Sequence, residues 1–155
     1  MDTYGVLKVL HVLGAVIFLG NIIVTAWWKV MADCTRDPRV VAFAQRQVTL
    51  TDFVFTALGV LLLGGTGYAM VFGGPWSFDT RWLDWGQSLF LATGIVWVGV
   101  LIPIQFVQAR MARAFAGGGE IPVRYRQLAA LWMGFGILAI VLPLAALSLM
   151  VLKPV

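Results

Sequence analysis

The sequence predicts an all-α fold, a four-helix transmembrane bundle with both termini on the outer, non-cytoplasmic side. Three observations predict it. Hydrophobic residues make up 61% of the 155 positions and charged residues only 12%, a balance foreign to soluble domains. The excess sits in four apolar runs, at 6–28, 53–72, 89–107 and 128–151, each close to the ~20 residues that cross a hydrocarbon core. The basic residues are placed unevenly. Lys29, Arg36, Arg39 and Arg46 surround the first connection, and Arg110, Arg113, Arg124 and Arg126 the third, whereas the second has only Arg81 beside Asp79 and Asp84. Under the positive-inside rule the first and third connections are cytoplasmic. The net charge of +4 is therefore a topology signal and gives no footprint for nucleic acid. Little sequence lies outside the runs, so residues 1–155 are expected to form one domain, with helices at about 3–31, 38–73, 84–116 and 122–152.

The first helix starts behind Asp2-Thr3, a natural N-cap, and is too long and wrongly flanked for a cleaved signal peptide. At helical spacing His11, Gly14, Phe18, Asn21, Thr25 and Trp28 share one face, while the other faces are Val, Ile and Leu. Polar side chains at membrane depth turn towards other helices or a cofactor, so this stripe is expected to face inward. Trp27, Trp28 and Lys29 are expected to anchor the helix at the interface. Residues 33–39 read as a polar turn, and Cys34 there, the only cysteine, as a free surface thiol.

Asp37-Pro38 is a cap followed by proline at the first helical position, which starts the second helix. Its Asp52 enters the membrane on the side that holds Arg46, Arg110, Arg124 and Arg126, so an ion pair with one of them is expected. Asp52, Thr56, Gly59 and Gly67 trace a small or polar face for close packing. Gly73-Gly74-Pro75 ends the helix, and the connection through Trp76, Trp82 and Trp85 is expected to lie on the outer interface. The third helix contains Pro103, with Gln105 and Gln108 beyond it; Gly117-Gly118-Gly119 then breaks the chain. The fourth passes Trp132, Gly134, Gly136 and Pro143 and ends at Lys153-Pro154. The glycine-rich faces of the second and fourth helices suggest a homo-oligomer or a larger membrane complex.

No nucleotide loop, catalytic triad, zinc spacing or pair of inward carboxylates appears, which removes most hydrolase and phosphotransfer chemistries. What remains is the lone intramembrane histidine. A neutral imidazole ligates haem iron or copper, relays protons, or hydrogen-bonds a neighbouring helix, and all four readings of His11 stand on the sequence.

Three strings carry a resemblance: L-H-V-L-G-A-V-I-F-L-G-N from Leu10, A-Q-R-Q-V-T-L-T-D from Ala44, and M-V-L-K-P from Met150. With them the chain resembles, over its whole length, a bacterial family of predicted four-helix integral membrane proteins with no assigned activity. More remotely, the L-H start of the first helix is similar to that of copper-resistance D proteins and of membrane protoporphyrinogen oxidase of the HemJ type. The resemblance to that oxidase implies haem b at His11, the position of its haem-binding histidine; its third-helix lysine has no counterpart in 89–107. It further implies the bacterial inner membrane. A haem b protein acting in electron transfer or as a small oxidoreductase is the resulting expectation. Its ring would stand along the first helix over Gly14 towards Asn21, with propionates pointing outward towards Arg81, Trp82 or Lys8. An accessory subunit and a copper-handling protein, using His11 and the methionines, are the alternatives.

Overall fold

Each helix boundary is set by a local signal in the chain. In the computed structural model, which describes residues 2–154, α1 spans Thr3–Thr35, α2 Pro38–Phe72, α3 Arg81–Phe115 and α4 Val123–Leu152. The Asp2 carboxylate accepts the Gly5 N–H at 3.2 Å and caps α1. At the far end Arg36 turns left-handed (φ 57°), and its N–H closes onto the Asp33 carbonyl. Asp37 accepts the Arg39 N–H at 2.8 Å, and Pro38 opens α2. The connection is thus two residues long, and the helix runs a turn past the expected end near 31. Nothing between Lys29 and Thr35 breaks it, and Lys29 pairs with Asp33 one turn on, at 3.2 Å. The third helix likewise starts at Arg81 and not at 84, because the Thr80 carbonyl already accepts the N–H groups of Leu83 and Asp84.

Two helices widen into single π turns, α2 at Asp52–Thr56 and α3 at Trp97–Leu101. The one in α3 has a covalent cause. Pro103 lacks an N–H, and its ring presses on the carbonyl four residues back, at Gly99. Gly99 lies inside the π turn, which takes up the misfit.

The first and second helices pack along their length, as do the third and fourth. Near the two basic connections α2 also packs on α3 and the core closes, with Val48, Leu101, Ile104, Trp132 and Ala139 in one cluster and Val41, Ala112, Phe115 and Tyr125 in another. Towards the opposite end, residues 57–72 and 81–96 make no backbone contact. The tightest seam is α1 on α2. A Cβ on Gly59 would lie 2.7 Å from the Phe18 Cβ, and one on Gly14 would lie 2.9 Å from the Leu62 Cβ. All four helices are long and apolar enough to cross a membrane. Their outer faces carry large apolar side chains such as Phe43, Leu61 and Ile95. Lipid takes these up, so the fold is the expected four-helix membrane bundle.

Candidate functional site

The inner half of the bundle is built around a carboxylate. Asp52 is 6% exposed, and its oxygens collect donors from three helices. The Gln105 amide donates at 2.6 Å, the Thr56 hydroxyl at 2.9 Å, the Trp97 indole at 3.4 Å and the Asn21 amide at 3.5 Å. Asn21 also donates to the Thr56 oxygen at 2.9 Å. Asp52 and Trp97 each open a π turn, so both irregular turns meet at this one acceptor. Every partner is neutral. The expected ion pair with Arg46, Arg110, Arg124 or Arg126 does not form, because all four guanidinium side chains are exposed while Asp52 faces the interior.

A second polar group lies nearer the basic end. Lys29 is only 1% exposed, so it is a core residue and not the interfacial anchor its Trp27-Trp28 neighbours suggest; both tryptophans are exposed. The inward stripe of α1 accordingly continues through Lys29 to Ala32 and does not include Trp28. The ammonium donates to the Tyr125 hydroxyl at 3.0 Å and to Asp33 at 3.2 Å. Tyr125 in turn donates to the Gln45 side-chain oxygen at 3.2 Å. The ammonium also stands 5.0 Å from the Tyr125 ring centre and 5.7 Å from that of Trp132, within cation–π range. Lys29–Asp33 is the only ion pair among the described residues.

Two cavities flank these groups. An open groove of about 960 Å³ at the basic end is lined by Asp33, Tyr125, Arg36, Arg126 and Cys34, with Met133 among its apolar walls. A small cavity of about 30 Å³ lies at the centre, where Asp52, Thr25, Thr93, Gln105, Trp97 and Trp132 meet apolar side chains. The Trp132 indole nitrogen and both amide atoms of Gln108 are buried without a hydrogen-bond partner among the described residues.

His11 stands apart, between α1 and α2 towards the opposite end. Its Nδ1 lies 3.1 Å from both the Leu63 carbonyl and the Thr66 hydroxyl. Thr66 spends its own hydrogen on the Leu62 carbonyl. Both neighbours of Nδ1 are therefore acceptors, which makes Nδ1 the protonated nitrogen and leaves the Nε2 lone pair free. Gly67 gives the ring room, since a Cβ there would be 3.2 Å from the imidazole. The face of α1 expected to carry a ring does not fit one. Gly14 is closed by the backbone of α2, with Leu63 N 3.0 Å and Gly59 O 3.2 Å from a Cβ built on it, and Asn21 is held by Thr56. Arg81 is exposed at the start of α3, whose first half packs on α4 and not on α1. Trp82, expected on the outer interface, is buried against the bundle at 8% exposure, with Lys153 5.3 Å from its ring centre. Neither cavity includes His11 in its lining.

The histidine, Asn21 and Asp52 were legible as polar groups at membrane depth. Lys29, Gln45 and Tyr125 were not, although a signal existed: Thr25 and Lys29 continue the inward stripe by one helical turn.

A family model described as "Predicted integral membrane protein (DUF2269)" matches residues 5–154. No curated protein and no solved structure matches the chain, and the expected remote similarity to copper-resistance D proteins and the HemJ-type oxidase is not shown.

Proposed function

From the premise that this chain belongs to the DUF2269 family of predicted integral membrane proteins, we propose that it is a proton half-channel running from the cytoplasmic, basic end to Asp52. One observation carries the reading: a buried carboxylate with four neutral donors and no cation partner among the described residues. Ionisable groups at membrane depth are costly, and their recurrent use is in proton and ion pathways. The four donors suit the ionised form, and an arriving proton neutralises it without any ion having to leave the bundle.

The entry arm supports the same reading. Asp33 and Tyr125 line the open groove, and both contact the Lys29 ammonium. Thr25 and Trp132 lie next along the path, and both line the central cavity with Asp52. Beyond Asp52 the α1–α2 seam of Gly14, Phe18 and Gly59 is packed backbone to backbone and offers no polar side chain. A proton that reaches Asp52 therefore stays in the bundle until a partner or a rearrangement releases it, and this allows an accessory role in a larger complex.

Hydrophobic carbodiimides react with protonated carboxyl groups inside membranes and supply the test. Mass spectrometry is expected to find one adduct, at Asp52, that forms faster at low pH and is absent in Asp52→Asn. Labelling that spares Asp52 at every pH contradicts the half-channel.

A second reading rests on His11. A ligating histidine usually donates its other N–H to a carbonyl or carboxylate, and the Nδ1 contact with Leu63 leaves Nε2 in that arrangement. Haem b held at Nε2 would supply one-electron chemistry. A Soret band in protein expressed with ample haem, lost in His11→Ala, is the expected result of that reading. Colourless wild-type protein removes it.

A further inference from the structure

We infer that the small cavity beside Asp52 is a hydration site, and that the water held there joins the carboxylate to the Lys29 arm. The second half of this inference rests on the half-channel reading.

The cavity is large enough. Its volume of about 30 Å³ exceeds the roughly 10–15 Å³ that one water requires. Its chemistry is also specific. The Trp132 indole N–H is a donor only, is fully buried and has no partner among the described residues. Thr25 donates its hydrogen to the Asn21 carbonyl at 2.6 Å, and Thr93 donates to the Leu89 carbonyl at 2.8 Å. Both hydroxyl oxygens therefore have only lone pairs left to offer, as does an ionised Asp52. A ligand must accept from Trp132 and donate to oxygens. Water does both and finds the two to four partners that hold a buried water. A metal cation would suit the oxygens but would face the positive end of the indole N–H, which argues against it.

The position gives the water its role. Thr25 precedes Lys29 by one turn on the same face of α1, and both are buried. Trp132 touches both sides, lining the cavity while the Lys29 ammonium stands 5.7 Å from its ring centre. Lys29 does not itself line the cavity, so the transfer needs its side chain to swing towards Thr25; a proton then passes from the ammonium to the water oxygen as a water hydrogen passes to Asp52. One N–H bond breaks and one O–H bond forms at the carboxylate. The neutral amine then regains a proton from the groove through Asp33 or Tyr125.

The test is infrared spectroscopy of the full chain in lipid vesicles, comparing H2¹⁶O with H2¹⁸O at fixed pH. An isotope-shifted O–H stretch of an isolated internal water is expected in wild type. It should be lost in Trp132→Phe, which keeps a ring and deletes the N–H, and shifted in Thr93→Val, which keeps the shape and deletes an acceptor. Ser148→Ala, on the exposed face, should leave it unchanged. A wild-type spectrum without the band, or a band indifferent to both cavity variants, overturns the hydration site. The same samples report the Asp52 carboxyl band. If that band titrates and no water band is found, the water fails and the half-channel survives. If the carboxyl band never titrates, the half-channel fails and takes the proton-carrying role of the water with it.

Discussion

At the scale of single residues, Asp52 shows how much a buried charge depends on its neighbours. Removing the side chain strands the donors of Gln105, Thr56 and Trp97 in a dry interior, and each stranded group costs about 1–3 kcal/mol. Asp52→Ala should therefore lower the thermal unfolding midpoint in detergent strongly. Asp52→Asn, which keeps the shape and lets the Gln105 amide turn over, should lower it much less. Equal losses in the two variants would mean that Asp52 acts by filling space. Lys29 and Tyr125 share one hydrogen bond and one cation–π contact, so their truncations should not add. The double-mutant cycle of Lys29→Met and Tyr125→Phe should give a coupling of about 0.5–3 kcal/mol by chemical or thermal unfolding, and additivity would show the contact to be idle. The sequence marked Asp52 and His11 because polar residues in apolar runs stand out. It did not mark their partners. Four exposed arginines looked available to Asp52, and only the packing of α3 on α2 shows that Gln105 and Trp97 arrive first.

At the scale of helices, caps and breakers lie in neighbouring residues and are read directly, as Asp2, Asp37-Pro38 and Gly73-Gly74-Pro75 were. The π turns are different. One has a sequence cause in Pro103, while nothing in the residues around Asp52–Thr56 announces the other. Among the glycines, Gly14, Gly59 and Gly67 stand on the small or polar faces read for close packing, and each meets the facing helix. Gly59 admits Phe18 at backbone distance, whereas a Cβ on Gly134 meets nothing within 4 Å. Gly59→Ala should force α1 and α2 apart and cost about 1–3 kcal/mol, the range for overpacked cores. Gly134→Ala should be neutral or stabilise by up to about 1 kcal/mol, because alanine favours the helix. Unfolding of both variants under one set of detergent conditions checks the pair, and similar losses would contradict the assigned seam.

At the scale of the molecule, four apolar runs and the uneven basic residues were enough to read the architecture, because a bilayer leaves a chain few alternatives to spanning helices. The sidedness of that architecture is open to a simple assay. Cys34 is exposed at the basic end, so a membrane-impermeant thiol reagent should reach it in inverted vesicles and not in intact cells. The asymmetry of polar groups along the bundle was beyond the sequence. Lys29, Tyr125, Gln45, Asp52 and Gln105 gather in one half, and the close α1–α2 seam at Gly14 and Gly59 lies in the other. The proposed half-channel rests on that asymmetry. The most direct measurement places the protein in vesicles of uniform orientation, acidifies one face at a time, and follows the infrared carboxyl band of Asp52 against the Asp52→Asn control. The band of the protonated acid should rise when the basic face is acidified and stay flat when only the opposite face is. A band that answers equally to both faces, or to neither, contradicts the account.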